Sequence, residues 1–247
     1  MSGKIYFASD FHLGVPSKEK SRERELQLVQ WLDDISKDAT EVYLVGDLFD
    51  FWYEYKNVVP KGFVRFQAKI AALCDAGIPV HIFTGNHDMW MFNYLEEELG
   101  ATMHREPITR EWNGKKFLIG HGDGLGPGDY AYKWIKKVFA NPVCIWLFKW
   151  IHPDLGIGLA NFWSGSSRKS NSELDEKYLG DDKEWLLQYC ETVLKTEHFD
   201  YFIFGHRHLV LDKKVGSGSR YINLGSWFKA PHYAVWDGIN LDLKERT

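Results

Sequence analysis

Cysteine is scarce in this chain of 247 residues. Cys74, Cys144 and Cys190 show no CxxC spacing and lie in apolar or helical surroundings, which argues against a disulfide framework and for free thiols in a reducing compartment. Long apolar runs are missing too. The longest charge-free stretch of the aromatic segment 130–151 is Val138–Phe148, with Asn141 and Pro142 inside it. That falls short of the roughly 20 apolar residues of a transmembrane helix. The N-terminus shows neither an extended apolar region nor a small-residue cleavage site, so no signal peptide is expected and the expected location is cytoplasmic. A strong charge of one sign is absent as well. The net charge of −4 gives no general attraction to nucleic acid, and no basic stripe marks a nuclease. Internal repeats and low-complexity segments are lacking, and the length suits a single domain over residues 1–247.

What is present is an alternation of short apolar runs with amphipathic segments. Ile5–Ser9, Val42–Val45, Val80–Thr84, Phe117–Gly120 and Tyr201–Phe204 read as buried strands. Arg22–Ser36, Phe63–Ala76 and Asp182–Thr196 carry apolar residues at helical spacing. Further strands are predicted at Arg220–Leu224, His232–Trp236 and Ile239–Leu243, with hairpin turns at Asn113-Gly114 and Asp237-Gly238. Early strand–helix alternation followed by antiparallel strands predicts an α/β fold, a β-sandwich flanked by helices.

Each of the first five strands ends in a polar cluster. The clusters are Asp10-Phe11-His12, Gly46-Asp47-Leu48-Phe49-Asp50, Gly85-Asn86-His87-Asp88, His121-Gly122-Asp123 and Gly205-His206-Arg207-His208. Neighbouring strands bring their ends together, so five distant clusters can form one site. Asp, Asn and His supply oxygen and imidazole nitrogen, a ligand set suited to Mn²⁺, Fe²⁺ or Zn²⁺. Glycine before Asp47, Asn86 and His206 is expected to permit sharp turns. Arg207, between two histidines, is expected to point away and carries no assigned role.

The order DxH, GDxxD, GNHD, HGD, GHRH resembles the calcineurin-like metallophosphoesterases over nearly the whole chain. The resemblance implies a four-layer α/β/β/α metallophosphoesterase sandwich holding two divalent ions, with Mn²⁺ the expected metal. It implies that Asp10, His12, Asp47 and His208 bind the first ion and Asp47, Asn86, His121 and His206 the second, with Asp47 as the bridge. Paired cations of this kind bind phosphate oxygens, acidify water and stabilise an in-line displacement. His87, next to Asn86, is expected to act as general acid or phosphate donor, with Asp50 orienting it as the family pattern implies. Asp88 and Asp123 are expected to tie a ligand histidine or a backbone amide in place.

Residues 124–179 are too long for a loop and read as a helical insertion, or cap, over the site. Lys133, Lys136, Lys137 and Lys149 among Trp and Phe suggest an interfacial element touching a membrane peripherally, although a helical hairpin with Trp as core fits the same pattern. The DFHLG, GDLFDFW and HGD segments with this insertion resemble the UDP-2,3-diacylglucosamine hydrolases of lipid A synthesis. Those enzymes release UMP and diacylglucosamine 1-phosphate, and hold acyl chains under a helical cap. The resemblance implies a lipid-linked nucleotide substrate, with Asp129, Tyr132, Arg168 and Asn171 as contacts. The chain departs from the best-known members in carrying His87 where they carry Arg. Alternatives are a phosphodiesterase or nucleotide-sugar pyrophosphatase with a soluble substrate, and a non-catalytic scaffold. The complete ligand set weighs against the scaffold.

Overall fold

The computed structural model describes residues 3–128, 130–160, 177–228 and 230–246. One mixed sheet runs in the order β11-β10-β1-β2-β3-β4 and the other β5-β6-β7-β9-β8. The site-bearing strands are β1 (Lys4–Ala8), β2 (Ala39–Val45), β3 (Val80–Phe83), β6 (Lys115–Ile119) and β7 (Tyr201–Phe204). Within each sheet these strands are parallel: β1 with β2 and β2 with β3, then β6 with β7. Their carboxyl ends therefore emerge on one side, where open α/β sheets place their ligands.

Period-two alternation sorts the side chains into layers. Ile5, Phe7, Tyr43, Val45, Phe117, Ile119 and Ile203 point between the sheets and form the central core. Tyr6, Ala8, Val42 and Leu44 point outward, under α1 (Lys18–Ile35), α2 (Val64–Asp75) and α3 (Tyr94–Leu99). Phe202 and Phe204 face the opposite outer layer with Leu186, Leu187 and Cys190 of α7 (Trp185–Val193). The expected α/β/β/α order is thus present. The hairpin of β5 (Ile108–Trp112) and β6 turns at Asn113 and Gly114, both left-handed, as expected.

Local differences have local causes. Ser17 caps α1 by accepting from the Lys20 amide, so the helix starts before Arg22. The last strand, β11 (Leu241–Glu245), lies two residues beyond its expected start at Ile239. The Asp237 carboxylate accepts from the Ile239 and Asn240 amides, and that turn consumes both residues. Helix α7 starts at Trp185 rather than Asp182 because Asp181–Lys183 form a 3₁₀ turn. The remaining strands are β4 (Thr102–His104), β8 (Val210–Val215), β9 (Ser219–Leu224) and β10 (His232–Trp236).

After His121 come α4 (Tyr130–Phe139), α5 (Pro142–Lys149) and helical residues 153–160, the described part of α6. Asn141 caps α5, and Pro142 occupies its first turn. Among the described residues, no helix is long and apolar enough to cross a membrane.

Candidate metal centre

Backbone hydrogen bonds between the strand ends draw the five clusters together. Asp10 N–H donates to the Gly46 carbonyl (3.1 Å), His12 N–H to Asp47 (2.9 Å) and Gly205 N–H to His121 (3.0 Å). Among the described residues, seven non-glycine residues have positive φ, and five of them are Asp10, His12, Asp47, His206 and His208. Each such residue costs of order 1–2 kcal/mol, a strain that persists where the surroundings over-determine it and that gathers at functional sites. The glycines matter for room as well as for turning. Gly85 and Gly205 have no left-handed φ, but a Cβ at either would overlap the carboxylate of Asp47 or Asp10. Close approach is what demands glycine there, which revises the expected sharp turn.

The donor atoms converge as two groups that share Asp47: Asp10, His12, Asp47 and His208, and then Asp47, His121 and His206. His12 Nε2 lies 3.0 Å from His208 Nε2 and 3.6 Å from Asp47 Oδ2. His208 Nε2 is 3.3 Å from Asp10 Oδ1. In the second group, His121 Nε2 is 3.4 Å from Asp47 Oδ2. The Asn86 carbonyl oxygen completes this group, 2.9 Å from His206 Nδ1 and 3.3 Å from His121 Nε2. His121 Nδ1–H donates to the Val45 carbonyl (2.8 Å), which leaves Nε2 as the basic nitrogen facing the donors.

The electrostatics fit cations. Burial alone would raise Asp10 and Asp47, but surrounding histidines hold both below the usual carboxylate range. Burial would likewise lower His12, yet the carboxylates of Asp10, Asp50 and Asp47, at 3.8, 3.6 and 3.6 Å, raise it to about 9. His121 rises to about 10 against its burial, chiefly through the Asp47 charge. Protons on these imidazoles balance the buried carboxylates, and divalent ions binding there would displace them.

A third grouping joins His12, Asp50 and His87. His87 Nδ1–H donates to the Asp50 backbone carbonyl (3.1 Å), while the Asp50 carboxylate lies 3.6 Å from both His87 Nδ1 and His12 Nδ1. Asp50 thus meets His87 at hydrogen-bond distance through its main chain and leans on two rings through its side chain. Asp88 stitches the clusters together: its carboxylate accepts from the amides of Gly85, Leu48 and Phe49. Burial and then the Asp47 charge push Asp88 up to about 7, against these amides. Asp123 ties in α4 instead of a ligand histidine, accepting from Tyr132 Oη and pairing with Lys136, each at 2.6 Å. Tyr132 therefore meets the site through Asp123, with its ring centroid 6.2 Å from that of His206. Asp129, Arg168 and Asn171 lie outside the described residues.

Sequence reading passed over a sixth strand end. Strand β9 leads into Asn223-Leu224-Gly225-Ser226, the same strand-then-glycine pattern without His or Asp. Asn223 Nδ2 donates to the Gly205 carbonyl (2.5 Å), and Trp227 N–H to the Asp10 carbonyl (3.2 Å). Phe228 then packs on the His12 ring at 5.3 Å, with the Arg24 guanidinium 4.4 Å from the Phe228 ring centroid.

The chain belongs to the calcineurin-like phosphoesterase family, whose model matches residues 3–210. It is a metallophosphoesterase with two donor groups sharing one carboxylate. Among curated proteins, the UDP-2,3-diacylglucosamine hydrolase of Porphyromonas gingivalis is 39% identical over 256 aligned positions, covering 99% of this chain and 98% of that protein. The hydrolase of the same name from Vibrio vulnificus is 32% identical over 143 positions, 58% of this chain and 57% of its own. Among solved structures, a dimetal phosphatase from Danio rerio aligns with a TM-score of 0.48 at 14% identity, over 99% of this chain and 96% of that one.

Proposed function

We propose that this protein hydrolyses the pyrophosphate bond of UDP-2,3-diacylglucosamine. Water adds to one phosphorus, the bridging P–O bond breaks, and UMP and 2,3-diacylglucosamine 1-phosphate result. The observation that carries the substrate is the likeness to the Porphyromonas hydrolase across essentially both chains. Asp10, His12, Asp47 and His208 would hold one divalent ion, and Asp47, Asn86, His121 and His206 the other. Two such cations, proposed as Mn²⁺, would supply the positive charge that binds phosphate oxygens and acidifies water. Within this reading Asn86 adds an oxygen without adding charge. With Nδ1–H given to the Asp50 carbonyl, His87 carries its exchangeable proton at Nε2, for donation to a phosphate or leaving oxygen.

The helices after His121 form the proposed cap, residues 124–179. Phe148 packs on Tyr53 (4.7 Å) and Trp90 (4.8 Å), next to the segments that carry Asp50 and His87. Trp90 Nε1–H donates to the Phe139 carbonyl (3.0 Å) and Tyr53 Oη to that of Ile145 (2.8 Å). These buried contacts seat the proposed cap against the core. The assay that tests the substrate compares UDP-2,3-diacylglucosamine with UDP-glucosamine and an aryl phosphodiester on Mn²⁺-loaded enzyme. The diacyl substrate is expected to win in kcat/KM by at least roughly 10²-fold, since each buried methylene contributes about 0.8 kcal/mol. Equal turnover of the soluble compounds would replace this reading with the soluble-substrate one.

The outer face of the same helices supports membrane contact. Trp134, Trp146 and Trp150 are 68%, 56% and 74% exposed, so these tryptophans are surface and the core reading of them is set aside. Lysines on the same helices complement anionic lipid. Trp134→Ser with Trp150→Ser is expected to weaken binding to anionic phosphatidylglycerol vesicles by roughly tenfold or more, judged by co-sedimentation. Unchanged sedimentation would remove this face from the membrane.

A further inference from the structure

One residue separates His206 from His208, yet the two rings serve different donor groups. His206 meets Asn86, and His208 meets His12 and Asp10. Both backbones are left-handed, at φ 69° and 49°. Something must hold this turn, because a small rotation would swing both rings out of register at once. Part of the restraint comes from the donor set itself. Gly205 N–H donates to the His121 carbonyl, and His206 N–H to the Asp10 carboxylate at 3.0 and 3.2 Å. Those ties move with the groups they are meant to fix.

Arg207 supplies a tie of another kind. It is 2% exposed and turns away from the donors. Its Nε lies 3.1 and 3.3 Å from the two carboxylate oxygens of Glu184, itself 1% exposed. The guanidinium sits 4.1 Å from the Trp185 ring centroid, and Nη2 is 3.4 Å from the Lys177 carbonyl. Tyr221 Oη on β9 donates to the same Glu184 carboxylate (3.3 Å). A buried ion pair is a weak source of stability, because desolvation offsets the attraction. A planar guanidinium held by a carboxylate and laid on an indole is, by contrast, a strong source of direction.

We propose that Arg207 is a positioning residue for the two-ion centre: pairing with Glu184 and stacking on Trp185, it sets the turn that aims His206 and His208 at separate ions. The proposal rests on reading those histidines as ligands of two ions. Its reach to the Lys177 carbonyl also ties the chain returning from the insertion to the ligand turn.

The test uses Mn²⁺ alone, titrated calorimetrically into the metal-free full-length chain. Wild type is compared with Arg207→Lys, Arg207→Met and the double variant Arg207→Met, Glu184→Met. Arg207→Lys keeps the charge and loses the fork; Mn²⁺ affinity is expected to fall 10–100-fold, as for other residues that orient ligands. The spin-coupled electron paramagnetic resonance signal of two adjacent Mn²⁺ ions should weaken with it. Arg207→Met leaves Glu184 buried without its partner, so a folding defect there is answered by the double variant, which removes both charges. The double variant should recover thermal stability without recovering Mn²⁺ affinity, an outcome that separates aiming from stabilising. Wild-type affinity in Arg207→Lys, or affinity returning with stability in the double variant, overturns the proposal. A wild-type chain that binds fewer than two ions overturns the two-ion reading and this inference with it.

Discussion

Replacing Asp47 by alanine is expected to lower turnover by on the order of 10³-fold or more and to leave fewer than two ions on the protein after dialysis. Asp47 is the one residue common to both donor groups, so its loss strips each group of a carboxylate oxygen. Two cations held by those groups would then lack the carboxylate proposed to lie between them. Alanine also carries a backbone cost, because φ at this position is 53° and Ala gains nothing from a left-handed conformation. Asp47→Asn is the cleaner companion, since Asn tolerates that φ and keeps the shape while removing the charge. In the metal-free chain this change also relieves the Asp47 charge that helps push Asp88 up. That relief is outweighed by loss of the charge that holds His12 and His121 protonated, so metal-free Asp47→Asn should unfold earlier than metal-free wild type. The rise in Tm that Mn²⁺ gives wild type should be largely lost, because stabilisation by a ligand scales with its affinity for the folded state. Metal content by mass spectrometry, Tm with and without Mn²⁺, and kcat are the three readouts. A variant holding two ions with turnover within tenfold of wild type would take Asp47 out of the bridging position.

The legible part of this molecule was the part written in short-range pattern. Strands such as Tyr201–Phe204 and His232–Trp236 matched their expected bounds, because alternation and flanking glycines are local signals. The convergence of five strand ends was legible too, since parallel strands with one direction leave only one side for their carboxyl ends. What escaped was set by partners distant in sequence. Asp88 was expected to tie a ligand histidine or a backbone amide, and it accepts from amides; that two of them are those of Leu48 and Phe49 is decided only by the fold. Asp123 follows a predicted ligand closely, yet its carboxylate serves Tyr132 and Lys136 of α4. Arg207 and Glu184 stand 23 residues apart with no pattern linking them, and each is an unremarkable charge until the other is placed beside it. The tryptophans of α4 and α5 were ambiguous for a related reason. Helical spacing says that one face is apolar, but not whether protein or solvent lies against it.

Replacing His87 by alanine is expected to lower kcat by roughly 10²–10⁴-fold while both ions stay bound. The ring belongs to neither of the two donor groups that share Asp47, so its removal costs no ligand there. Its main chain is a separate matter: His87 N–H donates to Asp47 Oδ1 (2.9 Å), a contact that alanine preserves. The ring is aimed by Nδ1–H on the Asp50 carbonyl, which makes Nε2 the nitrogen that takes up and releases a proton. Burial pushes His87 below the ordinary imidazole range, with the Asp47 charge opposing and His12 reinforcing. A protonated ring is thus a minority species at neutral pH, ready to surrender its proton. The group leaving from a pyrophosphate is a phosphate monoester, whose second pKa lies near 6, so charge stabilisation matters more to it than full protonation. This sets His87→Arg against His87→Ala. Arginine provides a permanent positive fork for phosphate but no transferable proton at this pH. If stabilising charge is the main contribution, His87→Arg should recover most of the activity that His87→Ala loses on the pyrophosphate substrate. It should recover much less on an alkyl phosphodiester, whose alkoxide leaving group needs a proton. Equal failure of both variants on both substrates would make proton transfer the whole role, and loss of an ion from His87→Ala would make His87 a ligand.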